Sequence, residues 1–144
     1  IIIRTSSLFS KYGSNFVKTI FKLFSHKKSI KVVNDQFFFP TPAEDLAKII
    51  WNISLNYKTN MTYKNIFHFV GSGDYLNWYE FACLVKKKTS AKTLILPEST
   101  ANLNFLAKRP LYSVLSDTLV REKFNFHRVN WKEYLSTVIS EIKN

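Results

Sequence analysis

The chain has 144 residues, of which 46% are hydrophobic and 16% aromatic, and its formal net charge is +11. This composition supplies enough apolar side chains for one folded core. It excludes a disordered chain, a collagen-like chain and a disulfide scaffold, because Cys83 is the single cysteine. A single cysteine also favours a reducing cytoplasmic setting, and no apolar run approaches the roughly 20 residues of a membrane-spanning helix.

Predicted strands and helices alternate along the first part of the chain. The opening run Ile1-Ile2-Ile3 is typical of a strand buried on both faces of a parallel sheet. Residues 14–25 carry apolar side chains at helical spacing, and residues 30–33 form a short strand. The sequence Thr41-Pro42-Ala43-Glu44 predicts the next helix start, with Thr41 as the capping residue and Pro42 in the first helical position.

The same alternation continues to the end of the chain. Strands are predicted over residues 66–70 and 93–96, and loops over residues 11–13, 36–40 and 100–111. Asn77-Trp78-Tyr79-Glu80 has the spacing of a capping box. A short helix capped by Ser116 and a final helix that starts at Asn130 complete the pattern, which indicates an α/β protein.

The basic surplus is a weak sign of an anionic partner. The chain has 17 Lys but only 4 Arg, whereas a nucleic-acid surface favours Arg for bidentate and stacking contacts. The clusters Lys27-Lys28 and Lys86-Lys87-Lys88 fall near predicted helix ends, where cations complement the negative end of the helix dipole. We therefore predict no nucleic-acid partner and no membrane partner.

The residues alone reveal no catalytic or metal-binding constellation. Gly71-Ser72-Gly73 follows a strand but lacks the third glycine of a dinucleotide-binding fingerprint, so it predicts a tight turn. The three histidines, His26, His68 and His127, lack metal-ligand spacing, and Cys83 lies among apolar neighbours on a predicted helix. Because the chain opens without Met on a strand-like run, we expect it to be a fragment of a longer protein.

An ordered set of short segments carries more information than any single motif. The segments are Arg4-Thr5-Ser6, Gly13-Ser14-Asn15-Phe16-Val17-Lys18-Thr19, Val33-Asn34-Asp35-Gln36, Pro40-Thr41, Asp45-Leu46-Ala47, Gly71-Ser72-Gly73, Trp78-Tyr79-Glu80-Phe81-Ala82 and Lys108-Arg109-Pro110. In this order and spacing the chain resembles the C-terminal half of the dTDP-4-dehydrorhamnose reductases, which are extended short-chain dehydrogenase/reductases. The resemblance covers essentially all 144 residues.

The resemblance implies both a fold and a reaction. Residues 1–144 would be the C-terminal part of an NAD(P)-binding Rossmann-type enzyme, holding the end of the sheet and the substrate-binding region and lacking the N-terminal cofactor-binding strands. The parent would reduce dTDP-4-dehydro-6-deoxy-L-mannose to dTDP-L-rhamnose with NADPH or NADH, for cell-surface polysaccharide synthesis. The catalytic Tyr-x-x-x-Lys pair is expected upstream, so the fragment alone is expected to be inactive. A Mg²⁺ ion and a homodimeric parent are also consistent with the resemblance.

The resemblance also assigns site residues. Thr5 and Ser6 would contact the cofactor, and the substrate would be bound by Ser6, Ser7, Asn15, Phe16, Gln36 and Arg109. The planar guanidinium of Arg109 can bind two phosphate oxygens at once, although a surface ion pair is the alternative. For Asn15, a helix cap is the alternative to a ligand contact.

Two departures from the family pattern leave the exact sugar open. Ser7 stands where these reductases commonly have Trp, and Phe38 stands where they usually have Gly. Three alternative functions also remain at this stage. They are a related nucleotide-sugar epimerase, a non-catalytic relative such as the regulatory subunit of methionine adenosyltransferase, and a basic nucleic-acid-binding module.

Overall fold

The computed structural model describes residues 1–56, 66–103 and 106–143 of the chain. Two parallel strand pairs form the frame of this part. Strand β1 (Ile2–Thr5) pairs with β6 (Ile66–Phe69), and β3 (Ser29–Val33) pairs with β8 (Leu94–Glu98). The helices are α1 (Phe16–His26), α2 (Ala43–Asn56), α3 (Trp78–Thr89), α4 (Thr118–Phe124) and α5 (Trp131–Lys143), so the predicted α/β class is confirmed.

Short strands connect this frame to the loops. Strand β2 (Leu8–Phe9) pairs in parallel with β5 (Thr41–Pro42). Strand β4 (Phe37–Phe38) lies between β7 (Leu76–Asn77), to which it is antiparallel, and β9 (Tyr112–Ser113), to which it is parallel. The prediction of a plain loop over residues 36–40 is therefore wrong, because long-range pairing makes part of this segment a strand.

The predicted helix starts are correct at two places and wrong at two others. Asn77 caps α3 in a complete capping box with Glu80, and Asn130 accepts a hydrogen bond from the backbone N–H of Lys132 at the start of α5. Thr41 does not cap α2. Residues 41–42 instead form strand β5. The hydroxyl group of Thr41 donates to the carbonyl oxygen of Phe39 and accepts from the N–H of Gly71. The short helix α4 begins at Thr118, after the predicted cap at Ser116.

The larger core cluster is centred on aromatic rings. The side chain of Phe81, on α3, is 1% exposed and contacts the rings of Phe9, Phe16, Phe38 and Trp131, with centroid distances of 5.9, 5.7, 5.8 and 5.7 Å. These four rings come from β2, α1, β4 and α5. One residue of α3 therefore joins four separate segments of the chain.

The smaller core cluster lies on one face of the β1–β6 pair. Phe67 and Phe69 of β6 are fully buried there against Ile49 and Ile53 of α2 and Val120 of α4. The opposite face carries Ile2 and Ile66, which are 55% and 42% exposed. Large apolar side chains of α2 are exposed as well, namely Ile50, Trp51 and Leu55.

A partly buried arginine and a buried aspartate secure the segment between α4 and α5. Arg128 donates to the carbonyl oxygens of Val70 and Gly71 just after β6 and forms an ion pair with Asp117, and burial lowers the pKa of its guanidinium. Asp45 of α2 is 2% exposed and accepts from the backbone N–H of Val129, and burial raises the pKa of its carboxyl group. Arg128 therefore fastens the 125–130 segment to the end of β6, and Asp45 fastens it to α2.

Gly71 is required by a close approach of two backbones. A Cβ atom at this position would lie 2.0 Å from the carbonyl oxygen of Pro40. This is a steric reason for glycine in the turn after β6, and it agrees with the prediction of a tight turn.

We predict that Gly71→Ala lowers the free energy of unfolding by about 1–3 kcal/mol, the usual effect of forcing extra atoms into a packed site. The matched control is Ser72→Ala in the same turn, which adds no atoms and should stay within about 0.5 kcal/mol of the parent. Urea unfolding of both variants measures this. Equal stability of the two variants would contradict the close approach.

Candidate functional site

The carboxyl end of β1 presents three consecutive small polar residues. Thr5 has a buried hydroxyl group with no hydrogen-bond partner among the described residues. Ser6 is 9% exposed, and its hydroxyl group lies 3.5 Å from that of Ser7. Ser7 has a φ of 46°, and its carbonyl oxygen accepts from the N–H of Thr41. The chain therefore turns sharply at the sheet edge and leaves one buried polar atom without a hydrogen-bond partner among the described residues.

The loop after β3 is tied to a single turn of 3-10 helix at Thr100–Asn102. Asp35 accepts hydrogen bonds from the hydroxyl group of Ser99 and from the N–H and hydroxyl groups of Thr100. Hydrogen bonding from the Thr100 hydroxyl group is the main cause that lowers the pKa of the Asp35 carboxyl group. Gln36 is 5% exposed, and its Nε2 atom donates to the Thr100 hydroxyl oxygen over 3.0 Å.

Gln36 is thus held by the protein, and its amide nitrogen already has a partner in this structure. The same two-residue clamp, Asp35 and Gln36, fixes the start of the segment that leads to Arg109. No sequence pattern indicated the clamp, because its partners lie about 65 positions further along the chain.

Arg109 lies on an exposed loop beside β4. The N–H of Phe37 donates to the carbonyl oxygen of Leu111 over 2.8 Å, and the Ser113 hydroxyl group donates to the carbonyl oxygen of Phe37 over 3.1 Å. Gln36 directly precedes β4, and Arg109 lies three residues before β9. Because β4 pairs with β9, the two residues lie on neighbouring segments of the chain. Arg109 itself is exposed to solvent.

Asn15 acts as the cap of α1. Its Oδ1 atom accepts from the N–H of Lys18 at 3.2 Å, and its Nδ2 atom donates to the carbonyl oxygen of Ser10 at 2.8 Å. The ring of Phe16 packs 4.5 Å from that of Trp78. In this structure both side chains serve the helix start, so a ligand contact at this place falls to the backbone N–H groups of the first turn of α1.

The aromatic side chain at position 38 does not enter a pocket. Phe38 is 1% exposed, and its ring centroid lies 3.9 Å from that of Trp78 inside the core. Phe38 therefore fills the core and leaves the accessible site to other residues.

The core brings the candidate site segments together. Ser7 precedes Phe9 by two residues, Asn15 directly precedes Phe16, and Gln36 precedes Phe38 by two residues. All three aromatic rings contact Phe81. The candidate residues at the end of β1, at the start of α1 and before β4 are thus positioned by one packing centre.

The described residues contain no group of three or more His, Cys, Asp or Glu side chains that could hold a metal ion. Among the same residues, no helix is both long enough and apolar enough to cross a membrane. The lysines at positions 86–88 occupy the last turn of α3, and Lys27 is the C-cap of α1, as the helix-end interpretation of the basic clusters predicts.

Comparison with known proteins identifies close relatives of this arrangement. A model of the family described as the RmlD substrate binding domain matches residues 1–144. The spore coat polysaccharide biosynthesis protein SpsK of Bacillus subtilis is 35% identical over 140 residues, which cover 97% of this chain and 47% of SpsK.

Two solved structures have the same fold. The crystal structure of a dTDP-4-dehydrorhamnose reductase from Clostridium acetobutylicum superposes with a TM-score of 0.86 at 32% identity, over 99% of this chain and 49% of that one. The reductase from Bacillus anthracis in complex with NADP gives 0.84 at 33% identity, over 97% and 48%. The chain therefore spans about half the length of the relatives it matches.

We predict that the Asp35 clamp contributes stability only while its carboxyl group is ionised. Because its pKa is lowered on folding from the ordinary 3.8, this contribution is present above about pH 4 and is lost as the pH falls through the folded value. The stability difference between the parent chain and Asp35→Asn should therefore be largest at pH 7 and shrink towards pH 3, as measured by urea unfolding.

The control for this pH dependence is Asp74→Asn. Asp74 forms an exposed ion pair with Lys132, which is worth less than about 1 kcal/mol. A difference for Asp35→Asn that is the same at pH 7 and pH 3 would show that the charge plays no part in the clamp.

Proposed function

The chain belongs to the RmlD substrate binding domain family, and from this we propose that it is the substrate-binding half of a dTDP-4-dehydrorhamnose reductase. The observation that carries the proposal is the match over residues 1–144, supported by two solved reductases with the same fold at 32% and 33% identity. Since the chain spans about half of these relatives, the activity belongs to a longer parent protein.

The parent reduces the C4 ketone of dTDP-4-dehydro-6-deoxy-L-mannose and forms dTDP-L-rhamnose, a precursor of cell-surface polysaccharide. Bound NADPH supplies the hydride. The proton comes from the Tyr of a Tyr-x-x-x-Lys pair in the upstream half, where the neighbouring Lys lowers the pKa of that Tyr. This chain's share of the work is to hold and orient the nucleotide sugar.

The end of β1 fits the reacting end of the substrate and the cofactor. The buried hydroxyl group of Thr5 has no hydrogen-bond partner among the described residues, and buried polar groups normally have one. Thr5 and Ser6 are the residues that would hold NADPH, and Ser6 and Ser7 would face the sugar. NADPH is preferred to NADH because the solved Bacillus anthracis reductase contains NADP.

The diphosphate would be bound by Arg109 and by the first turn of α1. A helix N-terminus offers backbone N–H groups and a favourable dipole to an anion, and Asn15 and Phe16 fix the position of this terminus. Gln36 acts next to them, either on the substrate directly or through its hold on Thr100.

Residues 1–144 are proposed to form one unit, the end of a Rossmann sheet together with the substrate-binding region. The face of the β1–β6 pair that carries Ile2 and Ile66 would be covered by the upstream half of the parent. A cytoplasmic location and a homodimeric parent are part of the same proposal. The described residues offer no cluster that fits Mg²⁺, so no role is derived for this ion.

The reductase is favoured over the alternative functions by the names and identities of the relatives. The solved structures that are 32% and 33% identical to the chain are both dTDP-4-dehydrorhamnose reductases. The nucleic-acid alternative is disfavoured because the basic clusters lie at the C-terminal ends of α1 and α3, where they complement helix dipoles.

We predict that Arg109→Ala in the parent weakens binding of dTDP by about 1.5–3 kcal/mol, the range for hydrogen bonds to charged groups. The neighbouring exposed Lys108→Ala is the control and should have a smaller effect, because a flexible ammonium group lacks the bidentate geometry. Titration calorimetry with dTDP distinguishes the two variants. An unchanged affinity in Arg109→Ala would remove this residue from the site.

We predict that the 144-residue chain expressed alone has no reductase activity and poor solubility, because its exposed apolar face lacks a partner. NADPH oxidation and gel filtration measure the two properties. The double variant Ile2→Thr/Ile66→Thr should stay soluble longer, since it makes that face polar. A wild-type chain that is monomeric and melts cooperatively would contradict the proposed domain arrangement.

A further inference from the structure

Four aromatic side chains form a surface patch next to the candidate site. This aromatic patch consists of Phe37, Phe39, Tyr75 and Tyr112. The ring of Tyr75 is its centre, with centroid distances of 6.3 Å to Phe37, 6.0 Å to Phe39 and 6.0 Å to Tyr112, all in edge-to-face geometry. Tyr75 is 50% exposed and Tyr112 is 61% exposed.

The patch occupies the outer face of the β7–β4–β9 sheet. Alternation along β4 turns Phe38 into the core and leaves Phe37 and Phe39 on the opposite side, half-buried. Strand pairing places Tyr112 directly beside Phe37. A sheet with one face on the core normally carries polar residues on the other face. This exposed concentration of aromatic rings is therefore unusual and indicates a binding surface.

The patch is connected to two of the candidate substrate-binding residues. Gln36 directly precedes Phe37, and Arg109 precedes Tyr112 by three residues. Three residues of extended chain span at most about 10 Å. An anionic group bound at Arg109 and a flat ring bound beside Tyr112 can therefore belong to one small molecule, with a separation that a nucleoside diphosphate can bridge.

We propose that the aromatic patch binds the pyrimidine base of the nucleotide sugar by stacking on the exposed ring of Tyr75, with Tyr112 standing edge-on beside it. The inference rests on the proposed function, since it takes the diphosphate at Arg109 as its anchor. Stacking on aromatic side chains is a general way to bind a base. It leaves the phosphate groups free to reach the guanidinium group of Arg109. The hexose then extends towards Ser6 and Ser7 at the end of β1.

The test is calorimetric titration of the parent protein and its variants with two probes, dTDP and inorganic pyrophosphate. Tyr75→Leu should weaken dTDP binding roughly 5- to 100-fold, as expected for the loss of a stacked base. Its affinity for pyrophosphate should not change. The matched variant Tyr75→Phe keeps the ring and should bind dTDP within about 2-fold of the wild type. Melting temperatures of all variants verify that they are folded.

Each outcome bears on the proposal in a defined way. Selective loss of dTDP binding in Tyr75→Leu, restored in Tyr75→Phe, supports it. Unchanged dTDP binding in a folded Tyr75→Leu overturns it, and so does an equal loss of pyrophosphate binding, which would mean a role in the anion site or in the fold. If the wild-type protein binds pyrophosphate and dTDP equally well, the base-stacking proposal is overturned but the proposed function is not. If the wild type binds neither probe, the proposed function is overturned as well.

The same protein allows a kinetic test of the base subsite. Because the base is remote from the reacting ketone, Tyr75→Leu should raise KM for the dTDP-sugar with little change in kcat. A fall in kcat at unchanged KM would contradict a binding role for the aromatic patch.

Discussion

The packing of four aromatic rings around Phe81 is the constraint on which the rest of the structure depends. Phe81 lies on α3, whose start is fixed by the capping box of Asn77 and Glu80. Its ring contacts bring β2, α1, β4 and α5 together. The short strands β2 and β4 have two residues each, which is too few for backbone hydrogen bonds alone to fix their places. Side-chain packing therefore decides where they lie.

This packing links the core to the candidate function. The segments that carry Ser7, Asn15 and Gln36 each reach Phe81 through an aromatic residue at most two positions away. Packing in the core therefore fixes the backbone that carries these three polar side chains. Arg109 is different, because its loop is positioned by hydrogen bonds to β4 and follows a segment held by Asp35. The two parts of the proposed site are thus supported by different kinds of interaction, aromatic packing for one and hydrogen bonds for the other.

Local sequence signals predicted the elements whose stability is local. The capping box of α3, the Asn130 start of α5 and the helical spacing of apolar residues predicted these two helices with correct starts, because cap and helix are only a few residues apart. The assignment of Thr41 as a cap failed because β5 pairs with β2, more than 30 residues earlier. The clamp of Asp35 on Thr100 and the aromatic patch were missed for the same reason. Their members are distant in sequence and become neighbours only through strand pairing, so the family resemblance supplied the candidate residues that periodicity could not.

The two parallel strand pairs also determine when this chain can fold. In both pairs, β1 with β6 and β3 with β8, the partner residues lie more than 60 positions apart in the sequence. During synthesis neither pair can form until the second strand has left the ribosome, so β1 and β3 wait for their partner strands in this chain. Long-range parallel pairing of this kind slows folding and extends the time in which such segments are open to aggregation. The early half of this chain is therefore the part that waits longest for its strand partners while translation continues.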